Sequence, residues 1–344
     1  MTSESAPASD HDSYGCPTPP NESAKHQKQS QFQSQAQESK YDPTFTDRVI
    51  SATGPNAHTR LAQVMPSLVR HLHDFAREVD LTVAEWMAAV EFINACGRMS
   101  TDRRNETQLL CDILGLESLV DEITSKQLST PGSQLTPSAI LGPFYRHDAP
   151  LLPANSSIVF NLTPSVPWYD QAIADSAHLT GRVFSSASPQ KPIRNAIVDV
   201  WHTAPNGLYE QQDASQPDMN LRGRFATDAD GRYALYCLRP VAYPIPDDGP
   251  AGQLLAMLDR RPQRPGHIHF IVSAPGHRTL TTQIFDARDE YIDKDSVFAV
   301  KDELVVRFVP RAGDERARWS LEYDFVLGVD GSGEGEGEGE EGTK

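Results

Sequence analysis

The spacing of apolar residues changes near residues 130–137, a segment rich in Pro, Gly and Ser. Before this segment, apolar residues recur every three or four positions, which predicts helices. After it, short apolar runs are separated by turn residues without intervening helical patterns, which predicts strands. The strand-like runs are 178–184, 196–203, 223–227, 232–238, 266–272, 281–285, 303–309 and 322–327. The sequence therefore predicts a mainly β fold, an antiparallel β-sandwich preceded by an α-helical domain.

One apolar stripe dominates the longest helical pattern. Its members recur at three- and four-residue spacing and so share a helix face: Leu61, Met65, Leu68, Leu72, Phe75 and Val79. Such a stripe packs a small helical module onto a larger domain, and it can also join two chains. We expect residues 43–130 to form a helical dimerisation domain and residues 131–327 to form the β-sandwich.

The two ends of the chain have compositions unlike the rest. Residues 1–42 are rich in Ser, Gln, Pro and Glu, and residues 328–344 are an acidic Gly/Glu tail. Neither segment carries enough apolar surface to offset the entropy lost on folding. We expect both to be disordered.

Charge, hydropathy and cysteine usage exclude several classes of protein. The formal net charge of −16 argues against a nucleic-acid partner, which calls for a basic face. No apolar run approaches the ~18 residues of a membrane span, and the N-terminus lacks the apolar core of a secretory signal. The four cysteines have no CxxC spacing, which is typical of reduced thiols in a cytoplasmic protein: Cys16, Cys96, Cys111 and Cys237.

Two histidines in the run 264–270 (RPGHIHF) suggest a metal site. Residues two apart on a strand point to the same face, so His267 and His269 aim together while Ile268 and Phe270 face a core. Two converging imidazoles form half of a metal site. The alternative is a polar strand face with two hydrogen-bonded histidines.

Two tyrosines in long loops could complete the ligand set. Tyr209 ends the run 199–209 (DVWHTAPNGLY), and Tyr243 begins 243–246 (YPIP). Each tyrosine alone is more often a packing residue with a tethered hydroxyl. Together with His267 and His269, however, two phenolates offer a dianionic, oxygen-rich donor set, which favours Fe(III) over Zn(II).

These motifs resemble those of the intradiol ring-cleaving dioxygenases. The resemblance rests on 199–209, 243–246 and 264–270, together with 141–145 (LGPFY), and covers about residues 45–327. Gly266 is a small departure, because many members have Ala there, and we expect it to matter little. The runs 103–108 (RRNETQ), 217–224 (PDMNLRGR) and 243–246 look most similar to hydroxyquinol 1,2-dioxygenases, with catechol 1,2-dioxygenases next.

The resemblance implies a cofactor, partners and a reaction. It implies one non-haem Fe(III) per chain, held by Tyr209, Tyr243, His267 and His269. The substrates would be a small aromatic diol or triol and O₂, and the product a maleylacetate- or muconate-type diacid. It further implies a homodimer, with a lipid at the helical interface.

The resemblance also assigns roles to further residues. Tyr243 would be both ligand and base, Arg264 would stabilise negative charge on the substrate, and Gln283 would orient site groups. The expected substrate-binding residues line the pocket: Leu109, Asp112, Ile140, Pro143, Phe144, Ile245 and Pro246. For Asp112 we weigh a solvent-facing carboxylate against a pocket residue that accepts a hydrogen bond from the third hydroxyl of hydroxyquinol.

Two alternatives come from other classes of protein. A zinc- or iron-dependent hydrolase or a cupin-like enzyme would need a carboxylate ligand near His267, which the neighbouring residues do not supply. A non-catalytic β-sandwich binding module would leave four converging donors unexplained. Colour separates these possibilities, because Fe(III)–phenolate absorbs visible light whereas zinc does not.

Overall fold

The computed structural model describes residues 40–101, 104–128 and 135–330. It divides the chain into two compact units, Met1–Thr82 and Val83–Lys344. The predicted disordered ends therefore fall outside the described residues at 1–39 and 331–344. Arg103 of the run 103–108 and most of the predicted linker at 130–137 also lie outside them.

The first unit contains two described helices, α1 (Phe45–Ser51) and α2 (Thr59–Glu78). Arg77 on α2 donates to the Thr46 hydroxyl on α1 at 2.6 Å, and the rings of Phe45 and His73 stack with centroids 5.4 Å apart. The predicted apolar stripe lies on α2 and is exposed, with Leu61, Leu68, Leu72, Phe75 and Val79 each between 45% and 56% accessible.

In the second unit, helices precede and interrupt the strands. The described helices are α3 (Val83–Met99), α4 (Glu106–Ile113), α5 (Leu116–Leu128), α6 (Tyr169–Ala174) and α7 (Pro250–Met257). The last two lie within the half predicted to be free of helices. Helix α7 begins at Pro250 in the first turn, where the missing N–H of proline costs nothing, and its eight residues are too short for a clear periodic signal.

The larger sheet has seven strands and includes parallel pairs. Its strands are β1 (Ser156–Ser157), β2 (Ser176–Ser185), β3 (Ser188–Pro192), β6 (Arg232–Leu238), β12 (Val309–Pro310), β13 (Trp319–Glu322) and β14 (Phe325–Leu327). The central strand β2 pairs antiparallel with β6 and parallel with β13 and β14.

The second sheet has five strands and carries the predicted histidines. Its order is β11 (Val305–Val306), β10 (Leu280–Asp286), β9 (His267–Ser273), β4 (Ile197–Trp201) and β5 (Arg222–Ala226). A small two-stranded sheet joins β7 (Tyr243–Pro244) to β8 (Gln263–Arg264). Both larger sheets are mixed, since β10 and β11 also run parallel, so the expectation of purely antiparallel sheets is wrong. Alternation of side chains reports which face is buried and carries no information on strand direction.

One hydrophobic cluster draws buried residues from both larger sheets, including Leu179, Leu235, Ile268, Phe270 and Phe325. The chain beyond residue 327 is still tied to the fold, because Val329 forms a β-bridge with His277 and the Asp330 N–H donates to the Gly276 carbonyl at 3.0 Å. Within the described residues, no helix is both long and apolar enough to cross a membrane.

Candidate metal centre

Strand β9 places two imidazoles on one face, as its alternation predicts. The Nε2 atoms of His267 and His269 lie 3.1 Å apart, and both side chains are buried. Ile268 and Phe270 point the other way and are fully buried in the main hydrophobic cluster. The strand thus anchors itself through its apolar face and directs both imidazoles to a single point.

Two phenols converge on the same point from separate loops. The Tyr209 and Tyr243 hydroxyls lie 3.2 Å apart. The Tyr243 hydroxyl is 3.2 Å from His267 Nε2, and the Tyr209 hydroxyl is 3.1 Å from His269 Nε2. The two oxygens and two nitrogens therefore form a closed ring of donor atoms, with both tyrosines at most 6% exposed.

Neighbouring groups orient the two imidazoles. His267 Nδ1 lies 2.7 Å from the Pro265 carbonyl, so Nδ1 carries the proton and the Nε2 lone pair faces the ring of donors. The ring of His269 stacks on Trp201 with centroids 4.7 Å apart and an angle of 7°. Gly142, at φ +75°, approaches His269 so closely that a Cβ there would lie 3.2 Å from Cε1.

Gly266 has a closer fit than the sequence suggests. An added Cβ would lie 2.7 Å from the Pro240 carbonyl oxygen. The Gly266 N–H donates to Asp289 at 2.8 Å, and its carbonyl accepts from the Asp286 N–H at 3.0 Å. In this protein the glycine lets the strand entry pass close to a neighbouring backbone.

Burial keeps the four side chains of the donor ring neutral when no cation is bound. Burial raises the pKa of Tyr209 well above its usual value, and the neighbouring Tyr243 adds to this rise. Burial also raises the pKa of Tyr243 and lowers those of His267 and His269 far below the usual range, with Arg264 adding to both histidine shifts. A bound metal cation would favour the deprotonated form of both phenols. The neutral imidazoles could bind the same cation through Nε2 without losing a proton.

The donor ring fits a hard, highly charged metal ion. Among the described residues, no group of three or more His, Cys, Asp or Glu could hold a metal. A metal at this point therefore depends on the two tyrosines. Two phenolates and two neutral imidazoles together carry two negative charges, which suits Fe(III) better than Zn(II).

A buried polar network surrounds His267. Arg264 Nη1 lies 3.1 Å from His267 Nε2, and Arg264 Nη2 donates to Gln283 Oε1 at 2.9 Å. Gln283 Nε2 in turn donates to the Ile140 carbonyl at 2.7 Å. At the other edge of the guanidinium, Arg264 Nε donates to Asp295 Oδ1 at 3.0 Å. No sequence motif predicts this contact.

A small cavity adjoins the donor ring. It is lined by all seven predicted substrate-binding residues, Leu109, Asp112, Ile140, Pro143, Phe144, Ile245 and Pro246, and by Gly142, Tyr243, Arg264 and Val297. Gly142 lies within a quoted motif, whereas Val297 has no local signal. A larger surface groove between α5 and residues 298–303 contains none of the four donors.

Asp112 lines the cavity and does not face solvent. It is 1% exposed, and its Oδ1 has no hydrogen-bond partner among the described residues. Burial raises the pKa of Asp112 to about 9, with further contributions from Glu117. This shift favours the protonated carboxylic acid, which can both donate and accept a hydrogen bond.

These features define a class of protein. A ring of two phenols and two imidazoles, beside a cavity with apolar walls, an arginine and a buried carboxyl group, has the features of a pocket for a small molecule.

Comparison with known proteins gives the family. Residues 143–329 match the family model described as "Dioxygenase", and residues 58–130 match "Catechol dioxygenase N terminus". The chain belongs to the intradiol ring-cleavage dioxygenase family and is an aromatic ring-cleaving dioxygenase. The hydrolase, cupin-like and non-catalytic alternatives are thereby excluded.

Three similar proteins are named for catechol or for hydroxyquinol. The chain is 45% identical over 294 residues to a catechol 1,2-dioxygenase of Candida albicans, covering 84% of this chain and 93% of the relative. It is 39% identical over 278 residues to a hydroxyquinol 1,2-dioxygenase of Rhizobium sp., covering 78% and 89%. The solved hydroxyquinol 1,2-dioxygenase of Pseudomonas putida DLL-E4 matches with a TM-score of 0.72 and 37% identity, over 83% of this chain and 98% of that chain.

Proposed function

We propose that this protein is a hydroxyquinol 1,2-dioxygenase. It would cleave the ring of 1,2,4-trihydroxybenzene between its adjacent hydroxylated carbons with O₂, giving a maleylacetate- or hydroxymuconate-type diacid. The substrate choice rests on one observation about Asp112, which is buried and lines the cavity. Its Oδ1 has no hydrogen-bond partner among the described residues. A third hydroxyl on the ring would give that oxygen the partner it lacks.

We propose further that Tyr209, Tyr243, His267 and His269 hold one Fe(III) per chain. When bound there, Fe(III) would supply the Lewis acidity that favours a deprotonated diol and the redox chemistry needed with O₂. The four donor atoms supply two negative charges, and the hydrogen bond from His267 to Pro265 keeps that imidazole in the right tautomer.

Tyr243 would act as the proton acceptor. Among the four donors it is the one that lines the cavity, so its oxygen can meet a substrate hydroxyl directly. Arg264 also lines the cavity and would stabilise negative charge developing on the ring. Gln283 would hold Arg264 in place through its 2.9 Å bond, and the Ile140 carbonyl would hold Gln283.

The walls of the cavity would select a flat ring. Leu109, Ile140, Pro143, Phe144, Ile245 and Pro246 are apolar, and all six border the same space. Phe144 stacks on Tyr209 with centroids 4.8 Å apart, so one wall continues directly into the donor ring. Apolar walls around a few polar groups both orient a phenolic ring and keep water away from the reacting oxygens.

The second candidate substrate is catechol, which gives cis,cis-muconate. It is favoured by the 45% identity to the Candida albicans catechol 1,2-dioxygenase. Oxygen uptake with hydroxyquinol and catechol side by side distinguishes the two. We expect a higher kcat/KM with hydroxyquinol, and a clear preference for catechol would overturn the assignment.

The proposed architecture pairs a helical domain, 43–130, with a catalytic β-sandwich domain, 131–327, and leaves the two ends disordered. The mixed sheets that share one hydrophobic cluster support a sandwich. The exposed stripe of α2 supports a homodimer, and its apolar character is compatible with a lipid at that interface. The described cysteines Cys96, Cys111 and Cys237 are free, in keeping with a cytoplasmic protein without nucleic-acid or membrane partners.

A further inference from the structure

Arg264 has three guanidinium nitrogens, and they face in two directions. Nε donates to Asp295 Oδ1 at 3.0 Å. Nη2 donates to Asp295 Oδ2 at 3.2 Å and to Gln283 at 2.9 Å. Nη1 is left on the opposite side, 3.1 Å from His267 Nε2.

The contact with Asp295 fixes the plane of the guanidinium. Two parallel N–H···O bonds hold an arginine in both position and rotation, whereas one bond leaves it free to turn. Both side chains are almost inaccessible, at 3% for Arg264 and 8% for Asp295. The carboxylate also balances a charge that would be costly to bury alone.

Asp295 is itself held by the loop that follows it. Its Oδ1 accepts from the Val297 N–H at 3.3 Å, and its Oδ2 accepts from the Ala299 N–H at 3.0 Å. Between them, Phe298 adopts a φ of +59°, which is strained for a bulky side chain. The loop therefore closes tightly around the carboxylate.

Arg260 supports the strained turn from outside. Its guanidinium lies 4.9 Å from the Phe298 ring centroid and donates to the Ile113 and Ser296 carbonyls at 2.6 and 2.8 Å. Val297, within the same turn, lines the cavity. The loop 295–299 thus provides both part of the cavity wall and the carboxylate that accepts from Arg264.

We propose that Asp295 is a positioning residue, which aims Arg264 Nη1 at the donor ring and the substrate. The inference rests on the proposed role of Arg264, and it adds that this role depends on a residue that does not itself line the cavity. A fixed donor stabilises developing charge better than a mobile one, because no reorganisation is needed during the reaction.

The test is a double-mutant cycle with Asp295→Asn and Arg264→Lys, measured on the faster of hydroxyquinol and catechol. Asparagine keeps the size of the side chain but has one acceptor oxygen instead of two, so it cannot form the two parallel bonds to the guanidinium. We expect Asp295→Asn to lower kcat/KM by about a hundredfold, the usual cost of a misplaced catalytic group. In the Arg264→Lys background the two parallel bonds to Asp295 are already lost. There Asp295→Asn should lower kcat/KM by less than about threefold, because the effects of coupled residues are not additive.

Two readouts do not depend on turnover. Anaerobic titration with 1,2,4-trihydroxybenzene measures binding, and the melting temperature with metal content measures integrity of the fold. Asp175→Asn is the matched control, because Asp175 is also buried, accepts from Gln171 at 2.9 Å and does not line the cavity. It should affect the melting temperature and leave kcat/KM within about threefold of wild type, an additive effect at a distant site.

The outcomes separate the inference from the function on which it rests. Equal losses from Asp295→Asn in both backgrounds would mean that Asp295 acts through stability, which overturns the inference. Normal activity of Asp295→Asn beside a damaged Arg264→Lys would also overturn it but leave the proposed function intact. Normal activity of Arg264→Lys would overturn the inference together with the proposed role of Arg264, and it would still leave the ring-cleaving activity intact. If Asp295→Asn does not fold, Asp295→Glu keeps the charge, moves the carboxylate and should still lose kcat.

Discussion

The hydroxyls of Tyr209 and Tyr243 lie 3.2 Å apart in a site where each tyrosine is at most 6% exposed. Two phenols this close cannot both ionise without a cation between them, since their charges would repel in a medium of low dielectric constant. Replacing either tyrosine therefore tests whether a cation binds between them.

We expect the purified protein to contain one Fe(III) per chain and to be red-brown. Tyr209→Phe should lose the colour and most of the iron, because it removes one anionic donor and leaves a charge imbalance. Tyr243→Phe should keep more iron, shift the visible band and slow substrate deprotonation. Elemental analysis and absorption spectra provide the measurement. Stoichiometric zinc, or a colourless active enzyme, would contradict the assignment.

Deprotonation of Asp112 should lower the free energy of unfolding as the pH rises. The folded-state pKa of Asp112 is raised from 3.8 to about 9, so the folded protein binds a proton that the unfolded chain has lost. This contribution to stability is full below pH ~4 and is lost as pH rises towards 9. Asp112→Asn removes the titrating group, so its stability should change less with pH over that window.

The measurement is the melting temperature of both proteins between pH 5 and 8.5. Relative to wild type, the Asp112→Asn variant should gain at least about 2 °C on going from the low to the high pH, the shift expected from about 1 kcal/mol in a domain of this size. Asp121→Asn, at a partly exposed carboxylate paired with Lys301, is the control. Parallel curves for wild type and Asp112→Asn would mean that Asp112 is ionised in the folded protein.

The exposed stripe on α2 should join two chains. Leu68→Asp with Leu72→Asp places two charges on that stripe and should give a monomer in sedimentation velocity. Gln63→Asp, a polar-to-charged change outside the predicted stripe, should leave the dimer intact.

Trimming the chain tests the role of its ends in the same assembly. A chain of residues 43–327 should remain dimeric and active. Residues 43–330 should be more stable, because Val329 and Asp330 are bonded to residues 276 and 277. A stable, active monomer of either length would rule out the proposed dimer.

Local patterns predicted some of these features and not others. The shared direction of His267 and His269 follows from the two-residue period of a strand, so it could be read directly from the sequence. Tyr209 and Tyr243 are 34 residues apart, and nothing local says that their hydroxyls meet. Their joint prediction depended on donor chemistry and on resemblance to a family.

Other features had no signal in the sequence. Asp295 and Val297 belong to one turn, in which Asp295 contacts Arg264, 31 residues earlier, and Val297 lines the cavity. The parallel pairings of β2 depend on long-range topology, which alternation does not encode. The protonation of Asp112 depends on burial and on Glu117, and only the folded structure sets both.

The last prediction concerns the choice of substrate. A cavity built to bond a third hydroxyl rejects a ring that lacks it, because a buried polar group is then left without a partner. A hydrogen bond between Asp112 and that hydroxyl is worth about 0.5–1.5 kcal/mol, and leaving the Asp112 Oδ1 unpaired costs about 1–3 kcal/mol. The cost of leaving that oxygen unpaired corresponds to a preference for hydroxyquinol over catechol of roughly fivefold to 150-fold.

Asp112→Ala should therefore lower kcat/KM for hydroxyquinol by about tenfold and leave catechol turnover unchanged or improved. Asp112→Asn, which keeps an acceptor and a donor, should retain most of the hydroxyquinol activity. Steady-state oxygen uptake on both substrates provides the measurement, with Leu110→Ala on the same helix as a control for general damage to α4. Equal losses on both substrates would show that Asp112 supports the fold. No loss on either would leave the choice of hydroxyquinol without its structural basis, and catechol would then be the better-supported substrate.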